Sequence, residues 1–528
     1  MVQIGKPPCD DAIIRHGAPA PLPAANKRWV LIATIIGSSM AFIDGTIVNV
    51  ALPAIQHDLQ ATASDMQWVV ESYALFLASL LLIGGALGDH FGRRKIFMAG
   101  VALFVAASAG CAVSGNVRML LFARVLQGVG GALLVPGSLA LISAAFPEQE
   151  RGRAIGMWSG FSGITAALGP VLGGWLVDRY SWQWAFLINI PLALAVLLIC
   201  WMHVSESRSN APRALDGWGS LLATIGLGGV IYAFIEAPIA NWRSAEVLSA
   251  LLIGSAAMVA FVAVELRVRT PIVPLPLFRN RNFAGANLLT FWLYAALGGA
   301  LFYFPLNLIQ VQRYSASAAG AALVPFILIM FMLSRWAGRL VDRVGSKLPL
   351  VTGPAIAACG FALFAWPSIG GNYWLTFFPA VVVLGVGMSL TVAPLTTTVM
   401  NSISQDMAGV ASGVNNAVSR TASLLAIAVF GIVMAQVFHS SLHSSLQQMG
   451  VSHEIVAFLA GQEGKLAGAQ LPIDLDDGSA AMLRRAIGQA YVSGFRWVMV
   501  ISAGLALVSA LAAWLMIDSK PPTSDAKR

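Results

Sequence analysis

Charge is scarce in this 528-residue chain: 11% of positions are Asp, Glu, Lys or Arg, and 57% are hydrophobic. A soluble domain carries about 25% charged residues. A chain this poor in charge cannot cover a water-facing surface, so most of its surface must face lipid. Cysteine is also sparse. Cys9, Cys111, Cys200 and Cys359 lie far apart, with no CxxC spacing, which argues against a disulfide framework and for packing roles. The seven histidines form no metal signature. His439 and His443 are four apart and could share a helix face, but they read as an incidental pair in a polar loop. No phosphate-binding loop occurs, so ATP is not the expected energy source. No catalytic constellation emerges either, so an enzyme is not expected. Residues 1–28 lack an apolar core before Trp29, which argues against a cleaved signal peptide and leaves the first span as the insertion signal. The net charge of +8 does not point to nucleic acid, because the bases sit in short loops between apolar runs.

Long apolar runs are what the chain has in abundance. About 20 apolar residues cross roughly 30 Å of hydrocarbon. Fourteen such spans are read near 29–52, 66–87, 96–115, 118–142, 153–176, 184–203, 217–236, 246–265, 283–306, 318–341, 348–367, 373–398, 408–437 and 490–516. An even count puts both termini on one side. Of 32 Lys and Arg, 21 lie in or at the edges of the tails and the loops on that side. Seven lie opposite (Arg118, Arg179, Arg243, Arg313, Lys465, Arg484, Arg485) and four lie within spans (Arg124, Arg335, Arg420, Arg496). That bias predicts cytoplasmic termini. Residues 438–489 form an unusually long outside loop. Its end, Ala480–Trp497, has Met482, Leu483, Ala486, Ile487 and Ala490 at helical spacing, which predicts an amphipathic helix running into span 14. For 440–478, a solvated linker is an equal alternative.

Two loops repeat one pattern. Gly85-x-x-x-Asp89-x-x-Gly92 follows span 2, with Arg93 and Arg94 next, and Gly338-x-x-x-Asp342-x-x-Gly345 follows span 10, with Arg343 inside it and Lys347 after it. Repeated halves are the architecture of many secondary transporters. The chain then divides into a tail (1–28), a first bundle of spans 1–6 (29–205), an inserted pair of spans 7 and 8 (216–266), a second bundle of spans 9–14 (283–517) and a tail (518–528).

Ionisable groups inside a bilayer cost roughly 2.5–3.5 kcal/mol each and need partners or a wet cavity. Asp44 lies roughly 22 Å into span 1 from the inner side, and Arg124 roughly 9 Å into span 4 from the outer side. In a core about 30 Å thick these depths nearly coincide. Glu71, early in span 2, falls at the same level, near the headgroups. Two carboxylates and one guanidinium are therefore expected in one layer of the first bundle, where a moving Arg could raise and lower a carboxylate's proton affinity. A permanent pair that only orders helices is the alternative. Span 5 carries Gly156, Gly160, Gly163, Gly169, Gly173 and Gly174 with Pro170, which allows a close and bent helix contact. Arg420 in span 13, just after Asn415 and Asn416, reads as cavity-facing or as a cap on backbone carbonyls. Glu236 reads as interfacial. The span 9 aromatics, Tyr294 and Tyr303 among them, read as packing or as the lining of an apolar drug site.

At these residues the chain resembles the major facilitator superfamily, and within it the fourteen-span drug:proton antiporter branch of the EmrB/QacA type. The resemblance covers nearly the whole chain. Gly85–Lys95 matches the superfamily loop, with His90 where arginine is usual. Asp44–Pro53 resembles the branch's first-helix motif, and Arg124–Gly130 the arginine motif associated with proton coupling. Gly169, Pro170, Gly173 and Gly174 look like the antiporter motif. Trp184–Pro191 matches the start of span 6, with Gln183 where arginine is common.

The resemblance implies an all-α major facilitator fold of two six-helix bundles plus two extra spans. It implies export of amphiphilic or cationic organic compounds driven by the proton gradient, without a cofactor or metal. Asp44, Arg124 and Glu71 are the expected coupling residues. Gly85, Asp89, Gly92, Arg93, Arg94, Asp342 and Arg343 are the expected latch, with Asp89 approaching span 13 near Gly409. Asn49, Gln127, Tyr294, Asn416 and Arg420 are the expected cavity lining. The expected setting is a monomer in a bacterial inner membrane, with a periplasmic adaptor as a candidate partner. A dedicated exporter of one metabolite, such as an antibiotic or siderophore, and a lipid translocator are the alternatives.

Overall fold

A computed structural model describes residues 24–208, 216–268, 271, 273–403, 408–472 and 475–518. The long helices are α1 (Ala24–Asp58), α2 (Ala63–Phe91), α3 (Arg93–Ala112), α4 (Val117–Ala145), α5 (Glu148–Arg179), α6 (Asn189–His203) and α7 (Gly217–Ala240). They continue with α8 (Ala245–Glu265), α9 (Arg281–Leu306), α10 (Val324–Val344), α11 (Lys347–Phe364), α12 (Phe378–Asn401), α13 (Ala408–Met449) and α14 (Asp477–Met516). Short helices precede three of them: Trp184–Leu187 before α6, Ala316–Ala321 before α10 and Tyr373–Thr376 before α12. Among the described residues, thirteen helices are long and apolar enough to cross a membrane. A bent pair in α2, Ala63–Leu81 and Ile83–Phe91 at 51°, makes a fourteenth.

Helices α1–α6 pack together, as do α9–α14. In the pair between them, α7 lies against α2 and α13, while α8 packs mainly on α7 and leaves Leu252 and Val259 exposed. The repeat has a backbone counterpart. Gly92 (φ 115°) and Gly345 (φ 77°) end α2 and α10 in the left-handed region, and each amide donates four residues back, to Gly88 and Val341. Glycine reaches that conformation without the Cβ penalty.

The two ends of the molecule are here called the terminal face, where α1 begins and α14 ends, and the loop face opposite. The long loop is not a linker. Helix α13 runs on to Met449, and a helix at His453–Ala460 and a 3-10 turn at Glu463–Gly468 follow. The one-sided apolar residues Leu442, Leu446, Leu459 and Leu466 are buried, and that burial holds the segment down. The expected amphipathic helix is the first part of α14, with Leu483, Ala486, Ile487 and Ala490 buried and Met482 exposed.

The halves meet at the loop face. Asp178, at the end of α5, accepts the amides of Ala316 (3.0 Å) and Ser317 (2.8 Å). A carboxylate at a helix start complements the exposed amides there. Gln310 donates to Gln56 (2.7 Å), and Gln56 donates to the Lys465 carbonyl (3.1 Å). Gln67 donates to the Tyr303 hydroxyl (2.8 Å) and the Ile427 carbonyl (3.0 Å). Toward the terminal face the contact thins. Helix α5 lies close on the Ala316–Ala321 helix and barely touches α10. Gly174 sits on the Ala316 backbone and Gly320 on the Pro170 backbone, whereas a Cβ at Gly160 or Gly338 would meet nothing within 4 Å.

Candidate coupling site

Five helices of the first bundle converge on Asp44. Its carboxylate is wholly buried and Arg124 is 1% exposed. Arg124 Nη1 donates to Asp44 Oδ2 at 2.5 Å and to Gln127 Oε1 at 2.7 Å. Gln127 Nε2 donates to Asp44 Oδ1 at 2.7 Å and to Ser108 Oγ at 2.8 Å. Arg124 Nε donates to the Val69 carbonyl at 2.8 Å. Asn189 at the start of α6 reaches Ser108 Oγ at 3.4 Å. The guanidinium carbon lies 4.4 Å from the Tyr73 ring centre and 5.8 Å from that of Phe186. Tyr73 in turn donates to the Ala41 carbonyl at 3.2 Å.

Local sequence explains the convergence. Arg124 and Gln127 are three apart on α4, so both point to the same side. Helix α5 closes the back. Gly173 lies against Ile47, Gly169 lies against Thr46, and Thr46 donates to the Ala166 carbonyl at 3.2 Å. A buried ion pair is stable only when its remaining lone pairs and protons are also satisfied. Both oxygens of Asp44 are satisfied here.

Two expectations need correction. Glu71 is not in this set and is not near solvent: its exposure is 0%, and neither oxygen has a hydrogen-bond partner in the protein. Its level on the helix does not settle its direction. Val69 and Tyr73 face Arg124, and Glu71, two residues from each, lies about 200° round the helix. Gln127 does not line an open cavity; it is wholly buried and bridges Asp44 to Ser108. Of the span 9 aromatics, Phe302, Tyr303 and Phe304 are core residues, with Phe304 packed edge-on against Phe364 and Phe377.

The other cavity residues are dispersed. Asn49 and Tyr294 are half-buried, and the Asn49 Oδ1 has no protein partner. The Tyr294 carbonyl accepts from Ser423 at 3.1 Å. Asn416 is half-buried, and its neighbour Asn415 donates to Asn287 and Thr290. Arg420 is half-buried with its Nε unpartnered. Glu236 accepts from Trp68 Nε1 at 3.0 Å.

In the loop motif, Asp89 accepts from Arg93 Nε (3.0 Å) and Nη2 (2.9 Å). Gly85 is half-buried and follows the bend in α2. Arg94 is half-buried, and its backbone amide, with that of Lys95, donates to Glu206. The sequence offered no motif for Glu206, which caps α3 from beyond α6. Arg343 is exposed, while the side chain of Asp342 and the surroundings of Gly409 lie outside the described residues.

The Major Facilitator Superfamily profile matches residues 34–427. The chain belongs to that superfamily. It is 31% identical over 502 residues to the multidrug resistance protein Stp of Mycobacterium tuberculosis (strain CDC 1551 / Oshkosh), covering 93% of this chain and 92% of that protein. It is 32% identical over 513 residues to the tetracenomycin C resistance and export protein of Streptomyces glaucescens, covering 94% of each. Among solved structures, an inward-facing, occupied bacterial homologue of the human lysosomal transporter Spinster superposes with a TM-score of 0.64. It is 18% identical, covering 94% of this chain and 98% of that one, a likeness of fold.

Proposed function

We propose that this facilitator exports small amphiphilic or cationic organic compounds from the cytoplasm in exchange for protons. The observation that carries the reading is the sealed Asp44–Arg124–Gln127 cluster inside the first bundle. An ion pair so deep is an expensive way to order helices, because hydrophobic replacements of such pairs are often neutral or stabilising. It is a sound way to bind a proton. If the guanidinium withdraws, desolvation favours the neutral acid; if it returns, the proton leaves. The seam of α5 would let the bundles rock without opening a leak beside Asp44, and the charge bias of the loops supports a terminal face in the cytoplasm. In that orientation the face where the halves meet closely is the outer one, and the Asp89–Arg93 pair lies at the inner one.

The cargo class rests on relatives named for multidrug resistance and for antibiotic export. A second reading, a dedicated exporter of one antibiotic, is favoured by relatives named for a single compound, such as tetracenomycin C or puromycin. Inverted membrane vesicles test both. Uptake of a panel of organic cations and neutral amphiphiles should rise with an imposed pH gradient and collapse with a protonophore. Uptake of several unrelated compounds supports the broad exporter, and uptake of one supports the dedicated one. Gradient-independent uptake would sink proton coupling.

A further inference from the structure

Glu71 is the buried acid that the Asp44 cluster leaves unused. It lies one turn from Gln67, which bonds to Tyr303 and to Ile427 of α13. It lies one turn on the other side from Leu75, which shares one apolar cluster with Leu424 and Ala428 of α13 and with Ile231 and Ile235 of α7. Residues four apart share a helix face, so Glu71 faces α13 across the seam of the two halves. The opposing stripe of α13 follows from the same contacts. Gly431 packs on Gln67, Ile427 accepts from it, and Leu424 shares an apolar cluster with Leu75. One turn further toward the terminal face, on that stripe, is Arg420. Its Nε is buried without a hydrogen-bond partner.

Because α2 and α13 run antiparallel, Glu71 stands level with the stretch between Leu424 and Ile427. Arg420 is then roughly 6–10 Å further along the axis. A one-turn slide of packed helices, about 5.4 Å, is an ordinary step in bistable interfaces.

We propose that Glu71 and Arg420 form a second couple across the seam, which makes closure of the loop face depend on a proton. With the loop face closed, Glu71 stands alone and holds its proton, because an unpaired buried carboxylate costs several kcal/mol. When the loop face opens, Glu71 meets the medium on that side, gives up the proton to it and pairs with Arg420. Closing reverses both changes. The proton leaves and returns on one side, so this couple gates while Asp44 carries. The inference rests on the alternating-access reading above.

Other titratable groups on the elements around Glu71 include Tyr73 and Asp65 on α2, Tyr294 and Tyr303 on α9, Tyr491 on α14, and Tyr232 and Glu236 on α7. Trp68 Nε1 holds Glu236 and the Thr62 cap holds Asp65.

The test uses the full chain in lipid nanodiscs, with its four native cysteines replaced and spin labels introduced by His57→Cys and Ala321→Cys. Both sites are exposed at the loop face, one on each half. Without substrate, the long-distance population should rise about tenfold or more from pH 5.5 to 8.5, as release of one linked proton requires. Glu71→Gln and Glu71→Leu should hold the short distance at both pH values. Arg420→Gln should lower the long-distance population, and adding Glu71→Gln to it should change nothing further. A full pH response in Glu71→Gln would overturn the couple. Failure of both neutral Glu71 variants to fold would also overturn it, since this conformation should tolerate a neutral side chain. Absence of substrate-driven proton movement alongside an intact pH response would count against the exporter reading and leave the couple standing.

Discussion

Asp44 and Glu71 are both fully buried carboxyls of one bundle, yet one has its bonds filled and the other has none. Asp44 is held by Arg124 and Gln127, which are themselves held by Val69 and Ser108. Glu71 faces a seam between two bundles that meet closely at the loop face and part toward the terminal face. Inside a bundle, partners come from helices that move together, so a charge can stay charged. At a seam, partners come from helices that move apart, so a charge must be given up or exchanged when the seam shifts. Under the proposed function, the difference gives the carried proton to the first site and the gate to the second.

The strongest way to break the comparison is to make Asp44 an orphan as well. Arg124→Leu should destabilise the protein by about 3–5 kcal/mol, as removing one partner of a buried pair does. The double variant with Asp44→Leu should recover much of that. Thermal unfolding in detergent checks the order, and a double variant no more stable than either single one would show that the pair does not act as a unit. Next in size is the back wall. Gly173→Val would push against Ile47 and should cost about 1–3 kcal/mol by overpacking. It should also slow transport more than it lowers the melting temperature, if α5 is part of the rocking seam. A fall in stability with normal transport per folded molecule would confine α5 to packing.

A smaller effect sharpens the comparison. Ser108→Ala removes one bond from Gln127 and should cost about 1 kcal/mol, shifting the pH midpoint of transport while leaving the maximal rate nearly intact. An unchanged pH profile would place Ser108 outside the network. The smallest change is expected at the loop face. Asp178→Asn keeps hydrogen-bonding capacity but loses the charge at the Ala316 amides, worth about 0.3–1 kcal/mol at a helix start. The spin-label pair described above should report a modest rise in the open loop face, and a fall would reverse the assigned role.

The height of each charge was legible in the sequence, because rise per residue and bilayer thickness are nearly constant. The Asp44–Arg124 meeting was expected from that arithmetic together with the family motifs. Azimuth was not legible. Glu71 shares a level with Asp44 but sits two residues from Val69 and Tyr73, and only the packing of α2 says which side it takes. Gln127 went astray for the same reason, since its motif names a neighbour of Arg124 without saying that both turn inward. The folded loop was hidden by its polar composition. Its Leu442, Leu446, Leu459 and Leu466 find partners only from other elements. Glu206 and Asp178 cap helices distant in sequence, and no local pattern marks such a cap.

The central claim, that Asp44 carries the proton exchanged for cargo, is tested most directly by substrate-induced proton release in reconstituted vesicles, with folded protein quantified separately. Asp44→Asn keeps the size of the protonated acid but cannot cycle a proton. It should abolish proton release and gradient-driven transport while substrate still binds, and Asp44→Glu should restore part of both. Undiminished proton release from Asp44→Asn would contradict the account.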